Sequence, residues 1–264
     1  VTTGPFVPVR YAVDGMHAGN GSGFVHIFWT GTARSGEARD DRCLDWTGGD
    51  GGLGVVGDKD GLEGAWSWGR STSCDRDGKS LLCFALGDGP SLRPPQSTGK
   101  LVFVSSVRGS GMLSTWPDAD GNAGLAAADA VCRARATAAS LPNAMRFKAF
   151  MSDGATSALD RLVTDGPWVR LDGLLVAESK ADIADQSLFT AIQVDELGER
   201  PSFAAVWSGT DLDQAEQTTH CLGWTTDSMD EHGYSGRTSN AGWGAFGGTL
   251  DRCSTQNRIY CFED

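Results

Sequence analysis

The sequence lacks several features that mark large protein classes. Basic residues are few: 22 Lys and Arg stand against 34 Asp and Glu, a formal net charge of −12. We expect no binding to nucleic acid or anionic lipid, because such polyanions need a basic surface. No apolar run approaches the ~18 residues that a membrane-spanning helix requires, so membrane insertion is not expected. The chain starts at Val1 with no charged-then-apolar leader, and we interpret it as a processed, trimmed or partial product.

Linear signatures of enzymes are also missing. No H-E-x-x-H motif occurs, and no serine has glycine at both ±2 positions of a nucleophile elbow. The segment 78–80 reads Gly-Lys-Ser like the end of a phosphate loop, but position 73 is Ser where the first glycine is needed. The histidines are too scattered for a cluster: His17, His26, His220 and His232. The sequence therefore predicts a protein without catalytic activity.

Glycine and cysteine are abundant. The 36 glycines are roughly twice the usual ~7%, which indicates many tight turns and few long helices. No two of the seven cysteines have the C-x-x-C spacing of zinc or dithiol redox sites. Widely spaced cysteines in a Gly-rich and Trp-rich chain favour disulfides formed in an oxidising compartment. The predicted location is extracellular or at the cell surface.

The chain contains an internal duplication. Trp29-Thr-Gly-Thr, Cys43-Leu-Asp-Trp-Thr, Cys74 and Leu82-Cys-Phe recur as Trp207-Ser-Gly-Thr, Cys221-Leu-Gly-Trp-Thr, Cys253 and Tyr260-Cys-Phe. The interval from the tryptophan to the first cysteine is 14 residues in both copies. Gly4-Pro-Phe-Val is echoed by Gly166-Pro-Trp-Val, yet only the second copy has a long stretch before that motif. Matched residue types at matched intervals indicate a repeat whose first copy lacks its N-terminal half.

These patterns predict an α+β fold and three segments. Residues 1–86 form the C-terminal half of a module, 87–99 a Pro/Gly-rich linker, and 100–264 a complete module. Within the complete module we predict a turn at 118–124, a helix over 125–139 and a short helix to about 163, capped by Ser157 with Asp160. Strands are predicted over 101–106, 204–207, 221–225 and 258–262.

The second copy resembles a known family. The motifs are Gly124-Leu-Ala-Ala-Ala-Asp-Ala-Val-Cys132, Lys148-Ala-Phe-Met-Ser-Asp153, Gly166-Pro-Trp-Val-Arg-Leu-Asp-Gly173, Trp207-Ser-Gly-Thr210, Cys221-Leu-Gly-Trp-Thr225 and Arg258-Ile-Tyr-Cys-Phe262. In this order they resemble the bacterial endostatin-like modules of the C-type-lectin-like superfamily, found on secreted and cell-surface proteins. The resemblance covers residues 100–264, and residues 1–86 resemble only the C-terminal half.

The resemblance implies three disulfides. In that superfamily a cysteine of the helix pairs with the last cysteine, and two inner cysteines close the long loop. Carried over, this implies Cys132–Cys261, Cys221–Cys253 and, in the first copy, Cys43–Cys74. The partner of Cys83 would lie in the half-module that the first copy lacks, so we expect a complementing segment for residues 1–86.

Asp118, Asp120 and Asn122 form a candidate calcium site. Oxygen side chains at alternate positions can wrap one side of a hard cation, as in calcium loops. The glutamate that closes an EF-hand loop is missing, because the twelfth position counted from Asp118 is Asp129. The alternative is a solvated turn in which Asp120 or Asn122 caps the following helix.

Candidate ligand-binding residues lie in the loops. In lectin-like folds the long loop, here between Cys221 and Cys253, is the binding face, and it contains acidic residues; others just before it are Asp211, Asp213 and Glu216. The alternative for these acidic residues is simple loop solvation. The family's sugar-binding calcium motifs do not occur. Exposed indoles could act as stacking platforms, although core packing is the alternative for each. The candidates are Asp227, Asp230, Glu231, Trp66, Trp68 and Trp243, whereas Trp29, Trp46, Trp207 and Trp224 are predicted to be core.

The predicted function is recognition or adhesion by a secreted or cell-surface protein. The ligand would be a glycan or an extracellular protein, bound through the loop faces, with calcium as a candidate cofactor. Two alternatives are a structural interaction module within a larger surface polypeptide and a non-catalytic region of a larger extracellular protein, such as a hydrolase.

Overall fold

The chain forms two compact units. The computed structural model describes residues 8–9, 27–49, 51–76, 78–84, 95–201, 204–210, 219–242 and 244–264. Unit 1 comprises Val1–Pro94 and unit 2 comprises Pro95–Asp264, so the boundary lies within the predicted linker 87–99. The described residues form a mixed α+β structure with few helices, and the right-handed α-helices among them lie in unit 2.

Unit 1 contains a four-stranded sheet. Its strands are β1 (Ile27–Trp29), β2 (Leu53–Asp58), β3 (Arg70–Ser73) and β4 (Ser80–Leu81), and a 3₁₀ turn covers Glu63–Ala65. The strand order is β3-β2-β1-β4, in which β2 is antiparallel to both neighbours and β4 is parallel to β1.

Unit 2 contains an eight-stranded sheet with helices packed against it. Its strands are β5 (Lys100–Val104), β6 (Phe147–Ala149), β7 (Trp168–Arg170), β8 (Leu175–Ala177), β9 (Ala205–Trp207), β10 (His232–Arg237), β11 (Thr249–Arg252) and β12 (Arg258–Glu263). Its helices are α1 (Gly124–Ala138), α2 (Ala158–Arg161) and α3 (Lys180–Ala184), with 3₁₀ turns at Leu113–Thr115 and Ala144–Arg146. The order is β11-β10-β9-β12-β5-β7-β8, and β6 also pairs with β12.

Local sequence explains the helices. Helix α1 is alanine-rich, a composition that favours helix, and its small buried side chains let it pack closely on Phe103 and Phe147 of the sheet. The backbone N–H of Asp160 donates to Ser157 Oγ (3.0 Å), as predicted for the cap of α2. Helix α3 was not predicted, although Ser179 and Asp182 form a capping box that signals its start.

The duplication extends to the hydrogen-bond register. In unit 1, Phe28 and Trp29 of β1 pair with Ser80 and Leu81 of β4. In unit 2, β9 and β12 make the same parallel pairing, Val206 with Arg258 and Trp207 with Ile259. Each of these four residues lies 178 positions after its counterpart. The sheet of unit 1 is therefore the equivalent of the β11-β10-β9-β12 part of unit 2.

The predicted strand over 221–225 is wrong, because the segment Cys221–Trp224 forms a left-handed helical turn. Its four residues have φ between 50° and 70°, and Cys43–Trp46 in unit 1 repeats the conformation with φ between 50° and 66°. Left-handed backbone costs a non-glycine residue roughly 1–2 kcal/mol, so tertiary contacts must hold these turns. In unit 2 the ring of His220 accepts a hydrogen bond from the backbone N–H of Gly223 (2.7 Å, Nδ1). Local sequence patterns do not reveal such a turn.

Buried tryptophans anchor the core of unit 2. Trp207 and Trp224 are fully buried, as predicted, and donate their indole N–H groups to the carbonyls of Gly109 (3.0 Å) and Ser152 (2.8 Å). In unit 1, by contrast, Trp46 is 49% exposed, so its predicted core position is wrong.

Three disulfides link distant segments. The bonded pairs are Cys43–Cys74, Cys132–Cys261 and Cys221–Cys253, the same pairs that the resemblance implied. Cys83 is a free, exposed thiol. Three disulfides are compatible with an oxidising compartment. Within the described residues no helix combines the length and the apolar character needed to cross a membrane.

Candidate functional site

The predicted ligand-binding residues divide between the two units. Trp66 and Trp68 belong to unit 1, whereas Asp227, Asp230 and Glu231 belong to unit 2. Trp243 lies outside the described residues, as do Asp211, Asp213 and Glu216.

The acidic loop of unit 2 lies at the surface. Asp227 and Asp230 are exposed and Glu231 is half-buried. The backbone N–H of Asp230 donates to Ser228 Oγ (3.1 Å), and the N–H of Cys253 donates to the carbonyl of Glu231 (2.8 Å). The loop is thus hydrogen-bonded to the backbone at the Cys221–Cys253 disulfide, and Asp227 and Asp230 face solvent.

The candidate calcium residues make contacts of their own. Asp118 is ion-paired with Arg135, and the side-chain amide of Asn122 donates to the carbonyl of Ala119 (2.9 Å). The residue before α1 is Ala123, which makes no side-chain cap, so capping by Asp120 or Asn122 is wrong. In the described parts of the chain, no group of three or more His, Cys, Asp or Glu side chains is placed to hold a metal ion. Calcium binding stays a prediction, and the cation would have to displace Arg135 from Asp118.

A polar cleft of about 490 Å³ opens at one end of the strands in the unit 2 sheet. Strands β9 and β12 begin at this end of the sheet, and the antiparallel β10 finishes there. The topology therefore places Arg237, at the end of β10, and Arg258, at the start of β12, on either side of the first residues of β9. Arg108 joins them from the segment after β5. The cleft is lined by Arg108, Pro201, Ala204, Ala205, Arg237, Asp251, Thr255, Gln256, Asn257 and Arg258.

Three arginines face a single carboxylate in this lining. Asp251 is held in place by hydrogen bonds from Ser235 Oγ (2.6 Å) and from the side-chain amide of Asn257 (2.9 Å). The guanidinium of Arg258 donates from Nη1 to the carbonyls of Ser105 (2.5 Å) and Ser106 (2.6 Å). These contacts fix both charged groups before any ligand arrives.

The electrostatics around Arg258 combine burial, attraction to two carboxylates and repulsion from Arg108. Burial lowers the pKa of the Arg258 guanidinium, Asp195 and Glu196 oppose that shift, and the like charge of Arg108 lowers the pKa further. Arg108 and Arg258 therefore repel each other across the cleft. A carboxylate or sulfate placed there would relieve this repulsion and accept charge-assisted hydrogen bonds.

Unit 1 has an aromatic pocket of about 270 Å³. Trp66 lines it and meets Phe84 edge-on, with ring centroids 6.1 Å apart. Trp68 does not line it; its ring lies under the guanidinium of Arg34 at 4.9 Å. The remaining lining includes Phe28, Trp29, Ser67 and Leu82. Of the predicted aromatic platforms, only Trp66 is placed in a cavity by the described residues.

The arginine cleft has no signal in the sequence. Arg258 begins the closing strand β12, and Arg108 lies 150 residues before it. No local pattern connects two such positions, because sheet topology alone brings them together. No protein-family model matches the chain, and the search of curated proteins found no significant match.

Proposed function

We propose that this chain is a secreted or cell-surface recognition protein. Its ordered motifs resemble endostatin-like, C-type-lectin-like modules, and we assign it that fold. The three disulfides and the duplicated sheet support the proposed recognition role, because rigid disulfide-bonded scaffolds commonly carry binding loops.

The arginine-lined cleft carries the functional proposal. Three guanidinium groups converge there on a protein whose net charge is −12, so the local charge opposes the overall one. Arginine matches the planar, two-oxygen geometry of carboxylates and sulfates. Thr255, Gln256 and Asn257 add neutral donors and acceptors suited to sugar hydroxyls. The ligand class that fits best is an acidic glycan, carrying carboxylate or sulfate groups.

The cleft volume is consistent with a small ligand. About 490 Å³ falls within the ~300–1,000 Å³ of ordinary small-molecule sites. The site would therefore accommodate a short segment of a glycan. Selectivity would come from the anionic group of the glycan, because the arginines bind that group. The arginine positions would then set the orientation of the sugar ring.

Binding to immobilised glycans tests the proposal. The 264-residue chain should bind carboxylated and sulfated glycans in preference to neutral ones, and binding should weaken as salt screens the charges. Arg108→Gln and Arg237→Gln should each reduce binding. The matched control is Arg252→Gln, which removes an exposed β11 arginine that does not line the cleft. Equal binding to neutral and acidic glycans, or unchanged binding by both cleft variants, would overturn the proposal.

A protein ligand is the second candidate. Three large apolar side chains between Cys221 and Cys253 are exposed: Leu222, Met229 and Leu250. Exposed apolar groups of this kind favour a protein partner. If an extracellular protein is the ligand, Leu222→Ser with Met229→Ser should abolish its capture, and Arg108→Gln should leave that capture unchanged.

A further inference from the structure

The closing strand of unit 1 has a paired strand on only one edge among the described residues. Strand β4 pairs with β1 on one side, and among the residues that the structure describes no strand pairs with its other side. In unit 2 the equivalent strand β12 pairs with β9, β5 and β6. An unpaired edge presents backbone N–H and C=O groups that can accept another strand.

Counterpart side chains differ sharply in exposure between the two units. Leu81 is 75% exposed and Phe84 is 70% exposed, whereas Ile259 and Phe262, 178 residues later, are fully buried. Cys83 is exposed and Cys261 is fully buried. The two closing strands have closely related sequences, so the difference arises from what covers them.

Trp46 shows the same contrast in the left-handed turn. Its counterpart Trp224 is fully buried and donates to the carbonyl of Ser152, which belongs to the N-terminal half of the unit 2 module. Trp46 keeps its neighbour Trp29, with ring centroids 5.7 Å apart, as Trp224 keeps Trp207 at 5.7 Å. The pair inside the half-module is conserved between the copies, and only the covering half differs.

Unit 2 shows what the covering half contains. Strand β5 pairs antiparallel with β12, so that Phe103 lies opposite Cys261. Helix α1 then covers the sheet and bonds Cys132 to Cys261. Phe150, which follows β6, contacts Phe262 at a ring-centroid distance of 5.1 Å. A strand, a cysteine-bearing helix and an aromatic residue therefore bury this face.

The aromatic pocket of unit 1 corresponds to the position of Phe150. Thr30 donates to the carbonyl of Ser67 (2.6 Å), and Ser208 makes the equivalent bond to the carbonyl of Phe246. Ser67 is thereby the counterpart of Phe246, whose ring lies 4.6 Å from that of Phe150. Ser67 and Phe84 both line the pocket. The pocket therefore lies where Phe150 packs in the core of unit 2.

We propose that unit 1 binds a half-module from outside these 264 residues, which forms an antiparallel strand along β4 and bonds a helix cysteine to Cys83. The occupant must come from outside these 264 residues, because the other six cysteines are already paired. A second folded copy cannot supply it either, since its residues 100–150 complete its own unit 2. The partner is therefore a strand–helix polypeptide with one unpaired cysteine and an aromatic residue for the pocket.

The covalent step is thiol–disulfide exchange. The helix thiolate first attacks glutathione disulfide, forming a mixed disulfide and releasing one glutathione thiolate. The Cys83 thiolate then attacks the helix sulfur, so that the Cys83–helix S–S bond forms and the second glutathione leaves as its thiolate. Two protein thiols are oxidised, and one glutathione disulfide is reduced to two glutathione molecules.

A fusion to the full chain tests this proposal. A second copy of residues 100–165 is placed directly before Gly4, the position that Gly166 occupies after these residues in unit 2. The free thiol content should fall from one per chain to none, and amide exchange over residues 80–84 should slow. The matched control carries Ser in place of the added copy of Cys132. Its Cys83 should stay unbonded but react more slowly than in the unfused protein, because the added strand still covers it.

A second experiment, with a peptide, tests the proposal even if the fusion protein misfolds. The unmodified chain is incubated with a peptide of residues 95–165 in glutathione redox buffer, and the non-reduced peptide map is recorded. The expected product joins Cys132 of the peptide to Cys83. The proposal is overturned if a folded fusion keeps a reactive Cys83 with unprotected amides. It is equally overturned if the peptide arm gives only glutathione adducts or Cys83–Cys83 dimers.

Discussion

Removing single disulfides from unit 2 should reveal how loop length contributes to stability. The bond Cys132–Cys261 joins residues 129 positions apart, and Cys221–Cys253 joins residues 32 apart. All four cysteines are buried, so replacing each pair by alanine makes similar changes in packing. The two double variants differ mainly in the length of the loop that the bond closes.

The expected costs follow from loop-closure entropy. For a loop of about 130 residues the stabilisation is about 5 kcal/mol, and for one of about 33 residues it is about 4 kcal/mol. Loss of Cys132–Cys261 should therefore destabilise unit 2 by about 1 kcal/mol more than loss of Cys221–Cys253. Both costs are a large fraction of the ~5–15 kcal/mol by which an ordinary domain is stable against unfolding.

Guanidinium unfolding measures both variants. Tryptophan fluorescence reports on unit 2 through its buried indoles, those of Trp116, Trp168, Trp207 and Trp224. A change in the midpoint with an unchanged denaturant slope converts directly into a stability difference. If the Cys221–Cys253 variant is the less stable of the two, loop closure does not set the order, and native-state packing around the inner bond must dominate.

Three further predictions concern single side chains. Burial raises the pKa of the Asp264 carboxyl, but hydrogen bonds led by that of Lys148 (2.7 Å) outweigh burial and hold the pKa well below its usual range. This stability is present above the unfolded pKa near ~4 and is lost below it, so Asp264→Asn should melt lower at pH 7 and lose less stability on acidification. The hydroxyl of Tyr260 is fully buried with no hydrogen-bond partner in the described part of the chain, and burial raises its pKa. Tyr260→Phe should therefore leave stability in denaturant unfolding unchanged or raise it by about 1 kcal/mol. Calcium should raise the melting temperature of Arg135→Gln more than that of the unmodified protein, because Asp118 is then released from its ion pair.

Each of these three has an outcome that contradicts it. An acid-induced loss of stability equally steep in Asp264→Asn and in the unmodified protein would remove the role assigned to that carboxylate. A clear loss of stability in Tyr260→Phe would show that its hydroxyl has a partner. Identical melting curves in calcium and in chelator, for both proteins, would remove the calcium site.

Local sequence was enough for several elements. An alanine-rich run predicted helix α1, and Ser157 predicted the cap of α2, because helix propensity and capping act within a few residues. The apolar runs near 101–106 and 258–262 predicted β5 and β12. The duplication was also visible from matched intervals. The motif resemblance then implied the three cysteine pairs that the structure contains.

Two features depended on contacts between distant parts of the chain. The left-handed turn Cys221–Trp224 is locally unfavourable for all its residues but glycine, so its conformation is set by the surroundings and not by propensity. The arginine cleft unites Arg108 with Arg258 only because β5 pairs with β12, which places the segment after β5 against the start of β12. Neither feature has a sequence signal within a short window.

The two copies separate the contributions of sequence and tertiary structure most directly. Trp46 and Trp224 occupy the same turn, and Phe84 and Phe262 occupy the same closing strand, as the repeat alone determined. Their burial was decided elsewhere: Trp224 and Phe262 are covered by the N-terminal half of unit 2, whereas their counterparts are exposed. Local conformation depends on nearby residues, but removal from water depends on what packs above a side chain, and that partner can lie more than a hundred residues away.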